Sequence, residues 1–114
     1  MELVAEQIET DRGLIITLKG DAGLGSSSVL EKLNMQVLAR RAKFVVVDIS
    51  EMTFISSLGM GLLVGLHRGV VGQGGKIIVV GAQGGVLVAL KRAQLDRVFV
   101  MRETMDEALG NGVA

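Results

Sequence analysis

"DISEMTFISSLGMGLLVGL", residues 48–66, is the stretch whose reading decides the fold. The run that leads into it, "KFVVVDIS" from Lys43 to Ser50, is continuously β-branched and apolar. Such a run reads as a strand buried on both faces in a parallel arrangement. Asp48 closes that run and a loop is expected to follow. Ser56 and Ser57 then open "LGMGLLVGLHRGVVGQGG", which is too long for one strand. Leu62, Leu63, Leu66, Val70 and Val71 make it a helix, and its closing glycines can terminate one. Gly61, Gly65 and Gly69 each weaken that helix by about 1 kcal/mol relative to Ala. Spaced by four, they also form a flat stripe suited to close approach by a strand below or a partner above. Ser57 reads as the N-cap, accepting from the N–H of Gly59 or Met60, with Ser56 as the alternative one residue earlier; a cap is worth about 1 kcal/mol.

Upstream, two short runs flank "TDRG", the second being "LIITLK" from Leu14 to Lys19, and predict an antiparallel hairpin. After "GDAGLG", the stripe Val29, Leu30, Leu33, Val37 and Leu38 predicts a helix from about Val29 to Arg41, with Ser28 and Glu31 as its capping box. Arg40 and Arg41 fall in its last turn, where positive charge suits the dipole. Downstream, "KIIVVG" reads as a buried strand, "GGVLVALKRAQL" as a short amphipathic helix and "RVFVM" as a final strand. "TMDEAL" reads as a last helical turn capped by Thr104 and Glu107. The order ββαβαβαβα implies an α/β fold in a single domain over residues 1–114. Its mixed sheet has an antiparallel N-terminal hairpin, then parallel strands with interleaved helices joined by right-handed crossovers.

Composition narrows function by exclusion. At 114 residues the chain can bury roughly two thirds of its unfolded surface in one core. Its 12 basic and 12 acidic residues balance, so no electrostatic footprint points to nucleic acid or an anionic membrane. Cysteine is absent, which removes disulfides and thiolate chemistry. The amino terminus opens with acidic residues and is not read as a secretory signal. No apolar window reaches the ~20 residues that a membrane span requires. A soluble cytoplasmic protein without membrane insertion is expected. Sixteen glycines and no prolines read as punctuation at element ends.

Independent catalysis finds little support. A serine nucleophile needs a base, and the sole histidine, His67, lies roughly 15 Å along the helix axis from Ser57. His67 beside Arg68 reads as an exposed polar edge. One histidine without cysteine leaves only carboxylates for a metal, and Asp21, Asp48 and Glu51 lack a recognised spacing. "VVGAQGGVL" sits where a phosphate loop would, but Gly81, Gly84 and Gly85 do not make a dinucleotide or P-loop fingerprint. A turn needing positive φ is the simpler reading, with Gln83 exposed there and open to a protein partner. No enzyme, metal or cofactor is expected.

These residues resemble the signature of the STAS domain, found in anti-sigma factor antagonists and at the end of sulphate transporters. "VVVDIS", "MTFI" and "SSLGMGLLVGL" match its strand, its v-x-F-I stretch and its Asp-Ser-Ser-Gly helix start. Gly59 and Gly61 match its G-x-G, and "GDAGLG" resembles its Gly-Glu-Leu-Asp turn. The likeness runs over nearly the whole chain. Ser56 stands where many antagonists have Asp, and Leu58 where a second Ser or Thr often follows.

The resemblance implies a binding switch. Ser57, or secondarily Ser56, matches the phospho-acceptor. The unphosphorylated domain would dock on an anti-sigma factor and serine kinase of the histidine-kinase-like ATPase type, and a serine phosphatase would reset it. Asp21 and Asp48 match acidic positions near the family's site. Thr53, Ser56, Leu58, Met60 and Gly61 would form the docking face. Two other readings remain: a structural STAS subunit of a lipid-transport ATPase that is never phosphorylated, and a small nucleotide binder using "GAQGG".

Overall fold

The chain alternates strand and helix as the periodicities require, and the computed structural model describes residues 2–110. Among these residues five strands lie in the order β1-β2-β3-β4-β5: β1 (Val4–Thr10), β2 (Gly13–Ala22), β3 (Phe44–Ile55), β4 (Lys76–Val80) and β5 (Val100–Arg102). β1 and β2 pair antiparallel, and every later pairing is parallel. The hairpin closes on the two residues Asp11 and Arg12, where the Thr10 hydroxyl accepts from the N–H of Arg12 and of Gly13, both at 3.2 Å. A short polar side chain thus serves the turn's exposed amides.

The helices are α1 (Ser27–Arg40), α2 (Ser57–Gly72), α3 (Gly84–Arg92) and α4 (Met105–Ala108). Leu30, Leu33 and Val37 of α1, Leu63, Leu66 and Val70 of α2, and Val86 and Leu90 of α3 bury one face of the sheet. There they meet Leu14, Ile16 and Leu18, then Val45, Val47 and Ile49, then Ile77 and Val79. Val46, Ile78 and Val80 point the other way, under Ala108 of α4. The three consecutive valines of β3 are buried because both faces of that strand are covered.

Several expectations change in detail. The loop expected after Asp48 is strand instead, since β2 runs ten residues and offers β3 a partner as far as Ala22 opposite Ile55. Two register shifts along that stretch bend the pair. The capping box expected of Ser28 and Glu31 does not form. A 3-10 turn over Leu24–Ser26 starts α1 earlier, and the Ser26 hydroxyl donates to Gly23 O at 2.6 Å. Arg41 lies just past the helix, in a left-handed C-cap at φ 52°. The final strand is shorter than "RVFVM", because Leu95–Arg97 form a 3-10 turn and Phe99 drops into the helix-side core. The capping box of Thr104 and Glu107 forms as expected.

Within the chain the glycine stripe of α2 meets α1 rather than a strand, at Gly65 and Gly69, while Gly61 faces open space. A Cβ on Gly69 would lie 2.5 Å from Leu38 Cδ2. Asn34 Nδ2 donates to Leu62 O at 2.8 Å, and Gln73 Nε2 to Leu38 O at 2.9 Å. Gly69→Ala is therefore expected to be less stable than Gly61→Ala, since Leu38 must move aside and overpacking of about 1–3 kcal/mol offsets the ~1 kcal/mol gained in helix propensity. Gly61→Ala, with open space at its Cβ, should be stabilising. Urea unfolding of both variants checks the pair.

His67 is not the exposed edge that its neighbour Arg68 suggested. It packs edge-on against Phe99 at 5.6 Å between ring centroids, and its Nδ1 is buried without a hydrogen-bond partner. Burial first, and the nearby Arg68 charge second, lower its pKa from the ordinary 6.5. The unfolded chain therefore binds the proton more readily than the folded one. Stability should fall as pH drops below the unfolded value, and the loss should be complete once pH is below the folded value. Denaturant midpoints between pH 7.5 and 5 should decline less in His67→Gln than in the parent chain.

Candidate functional site

Beyond Val80 the sheet narrows to β2 and β3, and the polypeptide leaves β3 directly into α2 at Ser56. The N–H of Ser56 donates to Ala22 O at 3.0 Å, holding this residue in extended conformation at ψ 169°. Extended backbone is what an N-cap needs, and the Ser56 hydroxyl accepts from Gly59 N at 3.0 Å. Ser56 is thus the cap, and Ser57, read as the cap from sequence, is the exposed first residue of the helix. The strand's extra length moves the helix start back by one residue and takes Ser57 out of the cap.

The first turn of α2 docks tightly on the strands beneath it. Gly59 is buried, and a Cβ there would lie 2.9 Å from Ala22 O and 3.1 Å from Ile55 Cγ1. Around this contact Leu58 is 44% exposed and Gly61 is exposed, while Met60 is half-buried and packs against the core. Thr53 is exposed on β3. Sequence reading missed Phe54 and Leu24, which are 53% and 72% exposed at the same end. Phe54 lies opposite Asp21 in the sheet and 3.8 Å from a Cβ position on Gly23. Its place in the v-x-F-I stretch was the available signal. Exposed apolar side chains gathered at one end of a domain mark an interaction surface.

The two acidic candidates part company. Asp21 adjoins Ala22, whose carbonyl holds the helix start, and it lines a cavity of about 520 Å³ with Glu2, Leu3, Leu24, Ser26 and Val29. One oxygen of Asp21 is buried without a hydrogen-bond partner. Asp48 stands elsewhere. Its partner Thr17 and Ala22, the partner of Ile55, are five residues apart along β2, which places Asp48 on the order of 15 Å from the helix start. Its carboxylate accepts from Ser50 N at 2.9 Å, an amide just past the last rung of the β3–β4 ladder.

The "GAQGG" turn has positive φ at Gly81 (79°) and Gly84 (57°), as a β-to-α connection demands. A Cβ at Gly81 would lie 2.7 Å from Ser50 Cβ. Gln83 is exposed, but its side-chain amide donates to Ser50 O at 2.7 Å and ties the turn to β3. Among the described residues no group of three or more metal-ligating side chains comes together. No helix among them is long and apolar enough to cross a membrane.

The model of the STAS domain matches residues 2–108, and the chain belongs to that family. Solved structures agree on the fold. An anti-sigma factor antagonist from Mycobacterium paratuberculosis superposes with a TM-score of 0.87 at 21% identity, covering 96% of this chain and 93% of that one. The anti-sigma factor antagonist SpoIIAA in its unphosphorylated form gives 0.73 at 15% identity, over 96% of this chain and 100% of its own. A sulfate transporter family protein from Wolinella succinogenes gives 0.74 at 18% identity, over 91% and 87%. The same fold therefore occurs in proteins named as anti-sigma factor antagonists and in one of the sulfate transporter family.

Proposed function

We propose that this chain is an anti-sigma factor antagonist: a protein-docking module that presents the start of α2 to an ATPase-type anti-sigma factor and serine kinase, and is switched off by phosphate on Ser57. The observation that carries this reading is the division of labour between the two serines. Ser56 spends its hydroxyl on the cap, so the exposed Ser57 hydroxyl can be modified without undoing the helix start. A phosphate at a helix N-terminus is tolerated by the domain itself, through the free amides and the dipole. Its charge of about −1.5 to −2 must nevertheless be desolvated when a partner covers the surface. Of the two acidic candidates it is Asp21, not Asp48, that lies at this end, and its charge adds to that cost. The related Bacillus SpoIIAA is known in a phosphorylated form, which supports the reading. A serine phosphatase would restore docking, and the cytoplasm is where such a cycle would run.

Leu24, Phe54 and Leu58 supply the apolar contacts, with Thr53, Ser56, Met60, Gly61 and Asp21 around them. A second reading has a specific observation in its favour. Leu58 places an apolar side chain, 44% exposed, where the family often has a second hydroxyl. A constitutive STAS subunit of a lipid-transport ATPase would use such an anchor without phosphorylation. Intact-mass measurement after incubation with candidate anti-sigma kinases and ATP separates the two. One added phosphate, lost in Ser57→Ala, is the expected result. Stable binding of an ATPase with no phosphate from any kinase would favour the constitutive subunit.

A further inference from the structure

The free edge of the sheet at β1 is built for pairing. Among the described residues β1 is hydrogen-bonded to β2 alone, over seven residues and without a register shift. Thr10 and Gly13, which close the two-residue turn, are a hydrogen-bonded pair, so alternation turns the N–H and C=O groups of Ala5, Gln7 and Glu9 outward. Exposed edges are ordinarily guarded by Pro, Lys, a bulge or shortness. The opposite edge, β5, has only three residues. β1 carries neither Pro nor Lys, and both of its charges are already met within the chain. Glu6 pairs with Lys19 at 3.8 Å and Glu9 with Arg40 at 2.6 Å.

Its side chains divide cleanly between the two faces. Ala5 packs on the main core, Gln7 Nε2 donates to Gln36 Oε1 at 2.8 Å, and Glu9 reaches Arg40, so these three lie on the α1 side. Val4 and Ile8 lie on the other face, 48% and 59% exposed, with Ile8 opposite the half-buried Ile15. That leaves an apolar strip ending at an unpaired edge.

We propose that β1 pairs antiparallel with β1 of a second copy of this chain, about a two-fold axis through Ile8. Side chains opposite one another must share a face, so the axis passes through a residue of β1 rather than between two. Through Glu6 or Glu9 it would set like carboxylates face to face, which is unfavourable. Through Gln7 it would set Glu6 against Ile8. Through Ile8 it sets Ile8 against Ile8, Gln7 against Glu9 and Glu6 against Thr10. Apolar then meets apolar, Glu9 meets the side-chain amide of Gln7, and Glu6 meets the small polar Thr10, whose hydroxyl is donated to Gly13 O at 3.0 Å, instead of a second carboxylate. The interface is isologous, as a closed dimer requires. An edge pairing of this length falls below the ~1,000 Å² of a permanent interface, so the dimer is concentration-dependent.

Sedimentation velocity over a concentration series, with cysteine cross-linking, tests this. The chain has no native cysteine. Two Ile8 positions in a non-hydrogen-bonded pair have Cα atoms ~4.5 Å apart, within disulfide reach. Ile8→Cys should form a covalent dimer under mild oxidation much faster than Glu6→Cys, whose position faces Thr10. The parent chain should sediment faster as concentration rises, and Ile8→Lys should stay monomeric with unchanged circular dichroism. Gln7→Pro, which removes an outward N–H and with it the exposed side-chain bond to Gln36, should do the same. A parent chain monomeric at every concentration, or equal cross-linking of the two cysteine variants, overturns the proposal.

Discussion

Leu66→Ala is expected to lower the unfolding free energy by about 2–5 kcal/mol, whereas Leu58→Ala on the same helix should change it by no more than about 0.5 kcal/mol. Leu66 is fully buried, among the helix-side core residues of β2, β3 and β4. Truncating it leaves a cavity that the surrounding strands cannot fill without moving, so both the transfer and the cavity contributions are lost. Leu58 is 44% exposed at the first turn. Its removal should appear in partner binding instead, with a loss of about 2 kcal/mol if it is an anchor of the interface. Urea titration and calorimetric binding to an anti-sigma partner, run on both variants, would separate folding from docking. Equal stability losses in the two would mean that the helix start is core rather than surface.

Ser57→Glu should weaken docking on that partner about 100-fold, or ~2.7 kcal/mol, without loss of stability. Burying one unpaired charge at an interface costs several kcal/mol, and part of that is relieved at a site that begins exposed. Within the isolated domain the same carboxylate sits at a helix N-terminus, where it contributes about 0.3–1 kcal/mol in the favourable direction. Ser56→Ala should behave in the opposite way, costing about 1 kcal/mol of stability through the lost cap and little affinity beyond it. Thermal melts alongside binding isotherms distinguish the two serines. Undiminished docking by Ser57→Glu would remove the switch and leave the constitutive subunit as the better reading.

Period and composition were enough for the order of elements. The continuous β-branched run of β3, the helical stripes of α1 and α2 and the capping box of α4 are local patterns, and local patterns depend on near neighbours that the sequence displays. The same holds for the positive φ at Gly81 and Gly84, and for the family signature around Ser56, Ser57, Gly59 and Gly61.

Decisions made by distant neighbours were not legible. Which serine caps α2 depends on the bond from Ser56 N to Ala22 O, and so on how far β2 extends, a matter of pairing between residues more than thirty positions apart. Asp48 looked close to the helix start because only a few residues separate them, yet strand geometry stretches those residues along β2 and carries the carboxylate away. His67 looked polar and exposed until Phe99, brought in by the last crossover, covered it. The glycines of α2 announced a close approach but not the approaching side chain, Leu38, which the packing of α1 alone supplies. Spacing along the chain therefore set the elements and their order. Only the register and packing of those elements settled which polar groups are spent on structure, like the Ser56 hydroxyl, and which stand exposed, like Ser57.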